Sequence, residues 1–187
     1  MFSSALQQHI HCFSQLSAMA STVEQIGDLL SATIEKGGKI LIFGNGGSAS
    51  DAQHFAAELI GRFEQERPAW PAIALTTDTS ILTAIGNDYG FDDVFARQVQ
   101  GLGRKGDAAL GISTSGNSQN IIRAMASAKA VQMDTIGLLG HNGGALGSQV
   151  DHAIVIDDPK TARIQEAHIF ILHFWAMQIE QTLKQTV

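Results

Sequence analysis

The stretch Lys39-Ile-Leu-Ile-Phe-Gly-Asn-Gly-Gly-Ser-Ala-Ser-Asp-Ala-Gln-His-Phe-Ala-Ala-Glu58 decides the fold of this chain. It begins as an apolar strand, turns sharply through Gly44–Gly47 and enters a helix at Ser48. A strand, a glycine turn and a helix N-terminus together form an anion site, because free backbone N–H groups converge there and the helix dipole favours negative charge. The stretch therefore predicts a strand–helix unit of an α/β fold that binds a phosphate group.

Outside this stretch, short apolar runs alternate with helical segments, which is the pattern of a parallel sheet with right-handed crossovers. The predicted strands are 39–43, 72–75, 108–113, 135–139 and 153–156. Helical segments are predicted at about 3–36, 48–64, 78–101, 118–131 and 160–184. The sequence thus predicts one α/β domain over residues 1–187, a three-layer α-β-α sandwich around a five-stranded parallel sheet.

The composition excludes several classes of function. A formal net charge of −6 without any run of Lys or Arg argues against a nucleic-acid groove or a membrane-surface patch. Cys12 is the single cysteine of the sequence, so an internal disulfide cannot form, which is typical of a reducing compartment. The first 20 residues lack a basic, apolar signal pattern, and no segment is apolar enough to span a bilayer. We expect a cytoplasmic protein that binds neither nucleic acid nor membranes.

The closing helix is apolar around most of its circumference. Its apolar residues are Ile169, Phe170, Ile171, Leu172, Phe174, Trp175, Met177 and Ile179. A helix that is apolar all round must be buried all round, and one sheet face cannot cover it. In a chain of this size we expect a subunit interface to cover the rest, and a fully internal helix is the alternative.

A second loop, Gly111-Ile-Ser-Thr-Ser-Gly-Asn-Ser118, also follows a predicted strand and precedes a predicted helix. Its hydroxyl groups belong to Ser113, Thr114, Ser115 and Ser118. In an open parallel sheet, ligands bind at the carboxyl ends of the strands, where the strand order switches. The two loops together predict a site for one phosphorylated ligand. The alternative is that the hydroxyl groups only cap the following helix.

Two pairs of polar residues are candidates for chemistry. His54 and Glu58 share one face of a helix, although a His and a Glu at this spacing more often form a surface ion pair. Gln165 and His173 are eight residues apart on the closing helix, roughly 80° around its axis. His173 interrupts the apolar run Ile169–Met177, where a buried polar group is costly unless it has a hydrogen-bond partner or a function. A hydrogen-bonded core histidine is the alternative to a functional one.

Five motifs together resemble the phosphoheptose isomerases, which are stand-alone sugar-isomerase (SIS) domain proteins. The motifs are Gly44-Asn-Gly-Gly-Ser48, His54-Phe-Ala-Ala-Glu58, Gly86-Asn-Asp88, Gly111-Ile-Ser-Thr-Ser-Gly-Asn-Ser118 and Ala162-Arg-Ile-Gln-Glu-Ala-His168. The resemblance covers nearly the whole chain, and the serine-rich loop is typical of SIS domains generally. It implies the flavodoxin-like SIS fold, with long N- and C-terminal helices that serve oligomerisation.

The resemblance implies an isomerase that converts sedoheptulose 7-phosphate to D-glycero-D-manno-heptose 7-phosphate. This is the first step of ADP-heptose synthesis for lipopolysaccharide core. The reaction passes through an enediol and needs a base and an acid whose proton affinities differ. By match to the family, Glu58 is the base and His173 is the acid. The family match also implies a cytoplasmic homotetramer whose partner is a phosphorylated seven-carbon sugar.

The resemblance further implies one zinc ion per subunit, with ligands at His54, Glu58, Gln165 and His173. Partial zinc occupancy is expected, because a neutral amide oxygen is a weak ligand. The implied substrate contacts are Asn45, Gly46, Gly47, Ser48, Glu58, Asn87, Asp88, Ser113, Thr114, Ser115, Ser118 and Gln165. Arg62 follows Glu58 by one helical turn, and it is either a further ligand contact or half of a surface ion pair.

Other SIS proteins suggest alternative functions for this chain. Glu64–Pro68 and Pro71–Asp78 resemble a paralogue that binds the replication initiator DnaA and lacks the catalytic carboxylate and histidine. Because this chain has both Glu58 and His173, the sequence favours the enzyme over the adaptor. A regulatory SIS module would need a DNA-binding domain beside it, for which this acidic chain leaves no room. Isomerases of other phosphosugars usually carry additional modules, which we do not expect here.

Overall fold

A parallel β-sheet forms the middle layer of the protein, which we describe from a computed structural model over residues 1–184. Its strands are β1 (Ile40–Gly44), β2 (Ala72–Ala74), β3 (Ala108–Ser113), β4 (Asp134–Gly140) and β5 (His152–Ile156). They lie in the order β2-β1-β3-β4-β5, which is the flavodoxin-like order. Every predicted strand is confirmed, with ends that differ from the predicted ones by at most one residue.

Seven α-helices flank the sheet within residues 1–184. They are α1 (Phe2–Gln15), α2 (Ala20–Glu35), α3 (Gly47–Ile60), α4 (Thr79–Asp88), α5 (Ala96–Leu102), α6 (Gln119–Ala130) and α7 (Thr161–Lys184). Helices α1, α2, α3 and α7 share one apolar core with the sheet, and α5 and α6 share the core on the other face. The predicted three-layer α-β-α sandwich is therefore confirmed.

The prediction of one continuous helix over about 3–36 is wrong at its centre. Residues Leu16–Met19 form a 3-10 turn that separates α1 from α2. The hydroxyl group of Ser14 donates to the carbonyl of His11, and that of Ser17 donates to the carbonyl of Ser14. Serine side chains that bond to nearby carbonyls compete with the regular backbone ladder, and this explains why the helix breaks here.

Two other helical predictions need smaller corrections. The helix predicted over 48–64 ends at Ile60, and the segment 78–101 holds two helices rather than one. Gly90, with a φ of 93°, lies between these two helices in a conformation that a helix cannot contain. No helix within residues 1–184 is long and apolar enough to cross a bilayer.

The apolar circumference of α7 is covered only in part by the chain itself. Trp175 and Leu172 are fully buried in the core beneath the sheet. Phe170 is 50% exposed. It packs edge-on against the ring of Phe13 from α1, at 5.4 Å between centroids. The alternative of a fully internal helix is therefore wrong, because one stripe of α7 remains open to solvent in the single chain.

The strand order places the two predicted phosphate loops next to each other. β1 and β3 are parallel neighbours in the sheet, and Gly44 at the end of β1 pairs with Ile112 near the end of β3. The chain leaves β1 towards β2 on one side and continues from β3 to β4 on the other. The loops after β1 and β3 consequently meet at the switch in strand order, which is where open α/β sheets bind their ligands.

Candidate active site

The turn after β1 has the geometry that its glycines predict. Gly46 has a φ of 57° and a ψ of −121°, a backbone conformation that side chains strongly disfavour. Gly47 begins α3 one residue earlier than predicted, and a Cβ atom at this position would collide with the side-chain amide of Gln165. The buried Ser48 follows, with its N–H donating to the carbonyl of Asn45 at 3.1 Å. The tight turn thus leads directly into the N-terminus of α3, where the N–H groups of Ala49 and Ser50 donate to the carbonyl of Gly46 at 3.0 and 3.3 Å.

The loop after β3 uses its hydroxyl groups to shape a cradle. The Ser113 hydroxyl accepts a hydrogen bond from the N–H of Gly116 at 3.1 Å, and it lies 3.3 Å from the hydroxyl of Ser118. Ser115 accepts from the N–H of Asn117 at 3.1 Å. Ser118 occupies the N-cap position of α6, but its hydroxyl makes no capping hydrogen bond. The alternative that these hydroxyl groups only cap the helix is therefore not the arrangement in the structure.

An amide pair joins the two loops. The side chains of Asn45 and Asn120 exchange two hydrogen bonds, each 2.9 Å long, and Asn120 is buried. Asn45 belongs to the turn after β1, whereas Asn120 lies in the first turn of α6. The pair fixes the spacing of the two loops, and it occupies the side chain of Asn45.

The structure brings His54, Glu58 and His173 together in one cluster. The Nε2 atom of His54 lies 3.0 Å from the Oε1 atom of Glu58. The same Nε2 atom lies 3.0 Å from the Nε2 atom of His173, 119 residues further along the chain. The cluster is neither an isolated surface pair nor a core histidine, because the three side chains converge on one another and each remains partly open to solvent.

The role of a core histidine belongs to His168 instead. This side chain is fully buried, and its Nε2 atom donates to the carbonyl of Leu139 at 3.0 Å. Burial lowers the pKa of His168 to about 4, although the hydrogen bond to Leu139 acts in the opposite direction. His168 is therefore neutral at physiological pH and supports the packing of α7 on β4, while His173 is left available for chemistry.

The cluster has the donor atoms and the spacing of a metal site. The possible ligand atoms of His54, Glu58 and His173 all lie within 4.8 Å of one another. Two imidazole nitrogens and a carboxylate oxygen are ordinary zinc ligands, and ligands of a tetrahedral zinc at ~2.0–2.1 Å lie ~3.3 Å apart. The 3.0 Å separations from His54 Nε2 are close to that value. The residues present therefore fit a zinc ion.

Other predicted contacts lie outside the cluster in this structure. The amide of Gln165 packs against Gly47 in the turn after β1. Asn87 and Asp88 end the exposed helix α4, where the amide of Asn87 donates to the carboxylate of Asp88 at 2.8 Å. Arg62 pairs with Glu66 at 3.9 Å on the surface, which is the alternative to a ligand contact.

Asp51 is an ionisable residue near His54 that the sequence analysis missed. It lies three residues before His54 on α3, and its Oδ2 atom is buried without a hydrogen-bond partner among residues 1–184. Burial raises the pKa of Asp51 to about 6, and the proximity of His54 reduces this shift. Its spacing from His54 places it near the same helix face, which is the signal that could have identified it.

Comparisons with known proteins find relatives that match nearly the whole chain. The family described as SIS domain matches residues 6–140. Phosphoheptose isomerase 1 of Campylobacter jejuni is 50% identical over 176 residues, covering 94% of this chain and 95% of that protein. The phosphoheptose isomerase of Trichlorobacter lovleyi is 50% identical over 179 residues, covering 95% of this chain and 91% of that protein.

Two solved structures give the same result at the level of the fold. The phosphoheptose isomerase of Neisseria gonorrhoeae superposes with a TM-score of 0.91 at 43% sequence identity, covering 96% of this chain and 97% of that chain. The phosphoheptose isomerase of Francisella tularensis gives a TM-score of 0.90 at 40% identity, covering 96% and 94% respectively. The likeness extends over nearly the full length of both structures.

Proposed function

The chain belongs to the SIS-domain family, among its phosphoheptose isomerases, and on this basis we propose that it converts sedoheptulose 7-phosphate to D-glycero-D-manno-heptose 7-phosphate. This reaction begins the synthesis of ADP-heptose for lipopolysaccharide core. The observation that carries the proposal is the cluster that His173 of α7 forms with His54 and Glu58 of α3, the helix that begins at the turn after β1. An aldose–ketose isomerase needs both parts, a phosphate anchor and a proton-transferring pair.

The proposed reaction is an isomerisation, which relocates protons between C1, C2 and their oxygens and leaves the composition of the sugar unchanged. Glu58 takes a proton from C1 of the ketose while the carbonyl oxygen at C2 gains one, and this gives the enediol. His173 is the proposed donor to that oxygen. Glu58 then delivers its proton to C2 while the hydroxyl group at C1 returns a proton to His173, which leaves the aldehyde of the product. Contributions of this kind from positioned acids and bases are worth about 10²–10⁴-fold each.

Zinc is the proposed metal, bound by His54, Glu58 and His173, with Gln165 as a fourth ligand. When bound, a divalent ion supplies Lewis-acid polarisation of the carbonyl and hydroxyl groups of the sugar. The residues themselves orient one another, because His54 contacts both Glu58 and His173. Gln165 would have to turn from Gly47 towards the cluster to complete the set.

The phosphate of the substrate is proposed to lie between the two loops at the switch point. Gly46, Gly47 and Ser48 offer the N-terminus of α3, and the facing loop offers the hydroxyl groups of Ser113, Thr114, Ser115 and Ser118. Glu58 lies ten residues after Ser48, about 15 Å along the helix at 1.5 Å per residue. That length suits a seven-carbon sugar phosphate held in an extended form, with Asn87 and Asp88 reaching its hydroxyl groups.

A homotetramer in the cytoplasm is part of the same proposal. The open apolar stripe of α7, with Phe170 half exposed beside α1, supports burial against other subunits. Cys12 is buried as a free thiol, as is common in a reducing compartment. Acidic net charge supports a small-molecule partner rather than nucleic acid.

The function is tested by turnover of sedoheptulose 7-phosphate by the purified protein. We expect the aldose 7-phosphate to form, and we expect DnaA to show no tight binding. The alternative is a non-catalytic adaptor for DnaA, which would have no use for Glu58 and His173 in contact through His54. Absence of turnover together with tight binding of DnaA would replace the enzyme with the adaptor.

Removal of metal tests the proposed zinc site separately. We expect strict chelation to lower kcat and stoichiometric zinc to restore it, because the cluster offers three ordinary zinc ligands. Metal content before and after treatment is measured by atomic emission, and magnesium serves as the control ion, since imidazole ligands suit it poorly. An unchanged rate in metal-free protein would show that the cluster works without zinc.

A further inference from the structure

Glu180 is a buried carboxylate two helical turns beyond His173 on α7. It is 2% exposed. Its oxygens accept hydrogen bonds from the backbone N–H groups of Phe63, Glu64 and Gln65, at 2.9, 3.1 and 3.1 Å. Burial acts to raise the pKa of Glu180, but these donors and Arg67 outweigh it and the pKa is lowered. Glu180 is therefore an anion that holds the loop following α3.

Arg67 connects the same carboxylate to the end of α3. Its Nε atom donates to Glu180 at 3.3 Å, and its Nη1 and Nη2 atoms donate to the carbonyls of Leu59 and Glu58, at 2.6 and 2.5 Å. The guanidinium also stacks on Trp70, 3.8 Å from the ring centroid. The last carbonyls of a helix have no hydrogen-bond donors within the helix, and the guanidinium group of Arg67 donates to two of them here. One of these carbonyls belongs to Glu58 itself.

Helices α3 and α7 lie side by side in the same direction. Gln165 contacts Gly47, His173 contacts His54, and Glu180 holds the loop that follows Ile60. His173 and Glu180 are seven residues apart, about 10.5 Å along the axis and on nearly the same face. Phe63 donates its backbone N–H to Glu180, and its ring stacks on the ring of His173 with 5.6 Å between centroids.

We propose that the Arg67–Glu180 pair is a positioning element that holds Glu58 and His173 at their working separation. The inference rests on the proposed isomerase function. The pair restrains the C-terminal end of α3 through the carbonyls of Glu58 and Leu59, and it restrains His173 through Phe63. Replacing a buried ion pair with apolar residues often leaves the folded state equally stable or more stable, so stability alone does not explain why this pair is present. A displacement of a catalytic group by 1 Å, in contrast, can lower the rate of a reaction about 100-fold.

The test compares Glu180→Gln with Asp107→Asn. Asp107 is also a buried carboxylate, which accepts from the backbone N–H groups of Lys39 and Arg104 and from the Lys39 ammonium group, but it lies at the opposite end of the sheet, before β3. We expect Glu180→Gln to lower kcat about 10-fold or more with little change in KM, because the acid–base pair is misplaced but the phosphate loops are intact. Asp107→Asn should lower the unfolding temperature without this loss of kcat.

A second readout does not depend on turnover. In protein with ¹³C-labelled histidine, the His173 imidazole signal should shift or broaden in Glu180→Gln and stay unchanged in Asp107→Asn. If Glu180→Gln does not fold, the double variant Arg67→Met with Glu180→Met replaces it, since an apolar pair of similar volume can restore folding. We expect this folded double variant to have the same low kcat and displaced signal.

The outcomes separate this inference from the proposed function. Wild-type kcat and an unmoved His173 signal in the folded Glu180 variant would overturn the positioning role. An equal loss of kcat in Asp107→Asn would also overturn it, since the effect would then follow from general destabilisation. If the wild-type protein shows no turnover at all, the isomerase assignment fails, and the His173 signal alone decides whether the pair positions this side chain.

Discussion

Glu58→Gln is expected to lower kcat for the isomerisation of sedoheptulose 7-phosphate by a factor of about 10²–10⁴, which is the range of a positioned general base. Glutamine has nearly the same shape and can still contact His54, but its amide cannot take a proton from C1. Because the phosphate loops are untouched, KM should change little. The measurement is steady-state turnover, with circular dichroism and gel filtration to show that fold and assembly persist.

The matched control is Glu66→Gln, which removes a carboxylate that lies in the loop after α3 and is 93% exposed. It should retain wild-type kcat. In D₂O the wild-type enzyme should also place deuterium at C2 of the product, since the proton passes through an exchangeable carboxyl group. A Glu58→Gln enzyme with wild-type kcat, or a product free of deuterium, would contradict the role given to Glu58.

His173→Ala is the second large effect that we expect. The variant should lose about 10²–10⁴-fold in kcat, because the acid that donates to the carbonyl oxygen is gone. It should also bind zinc more weakly, since one of the three clustered ligands is removed. The fold should persist, because the side chain is partly open to solvent and its neighbours Leu172 and Trp175 supply the buried contacts of α7.

The control for this variant is His11→Ala, which removes an exposed imidazole from α1. It should leave both kcat and zinc affinity unchanged. Added imidazole can separate the two roles of His173: partial recovery of kcat without recovery of zinc affinity indicates the acid, and recovery of both indicates the ligand. Wild-type turnover in His173→Ala would remove His173 from the mechanism.

Much of the fold could be predicted because its signals are local. A run such as Ile40–Phe43 is apolar on both faces and ends in glycines, so it predicts a buried strand followed by a turn. The break at Leu16–Met19 was missed because it depends on where the hydroxyl groups of Ser14 and Ser17 point, and apolar periodicity does not report this. Periodicity also gave no indication that Arg67 would close the end of α3.

The sequence by itself determined the strand–turn–helix unit at Gly44–Gly47 and the helix faces that carry His54, Glu58 and His173. These follow from backbone conformations and helical repeats within a few residues. Only the tertiary structure decided the strand order with its switch point, the contact of His173 with His54 and the bonds from Glu180 to the loop after α3. The pairing of Asn45 with Asn120 is likewise a tertiary contact. A helical repeat states which side chains share a face, but the partner of that face depends on how distant helices pack, and that packing is a property of the whole core.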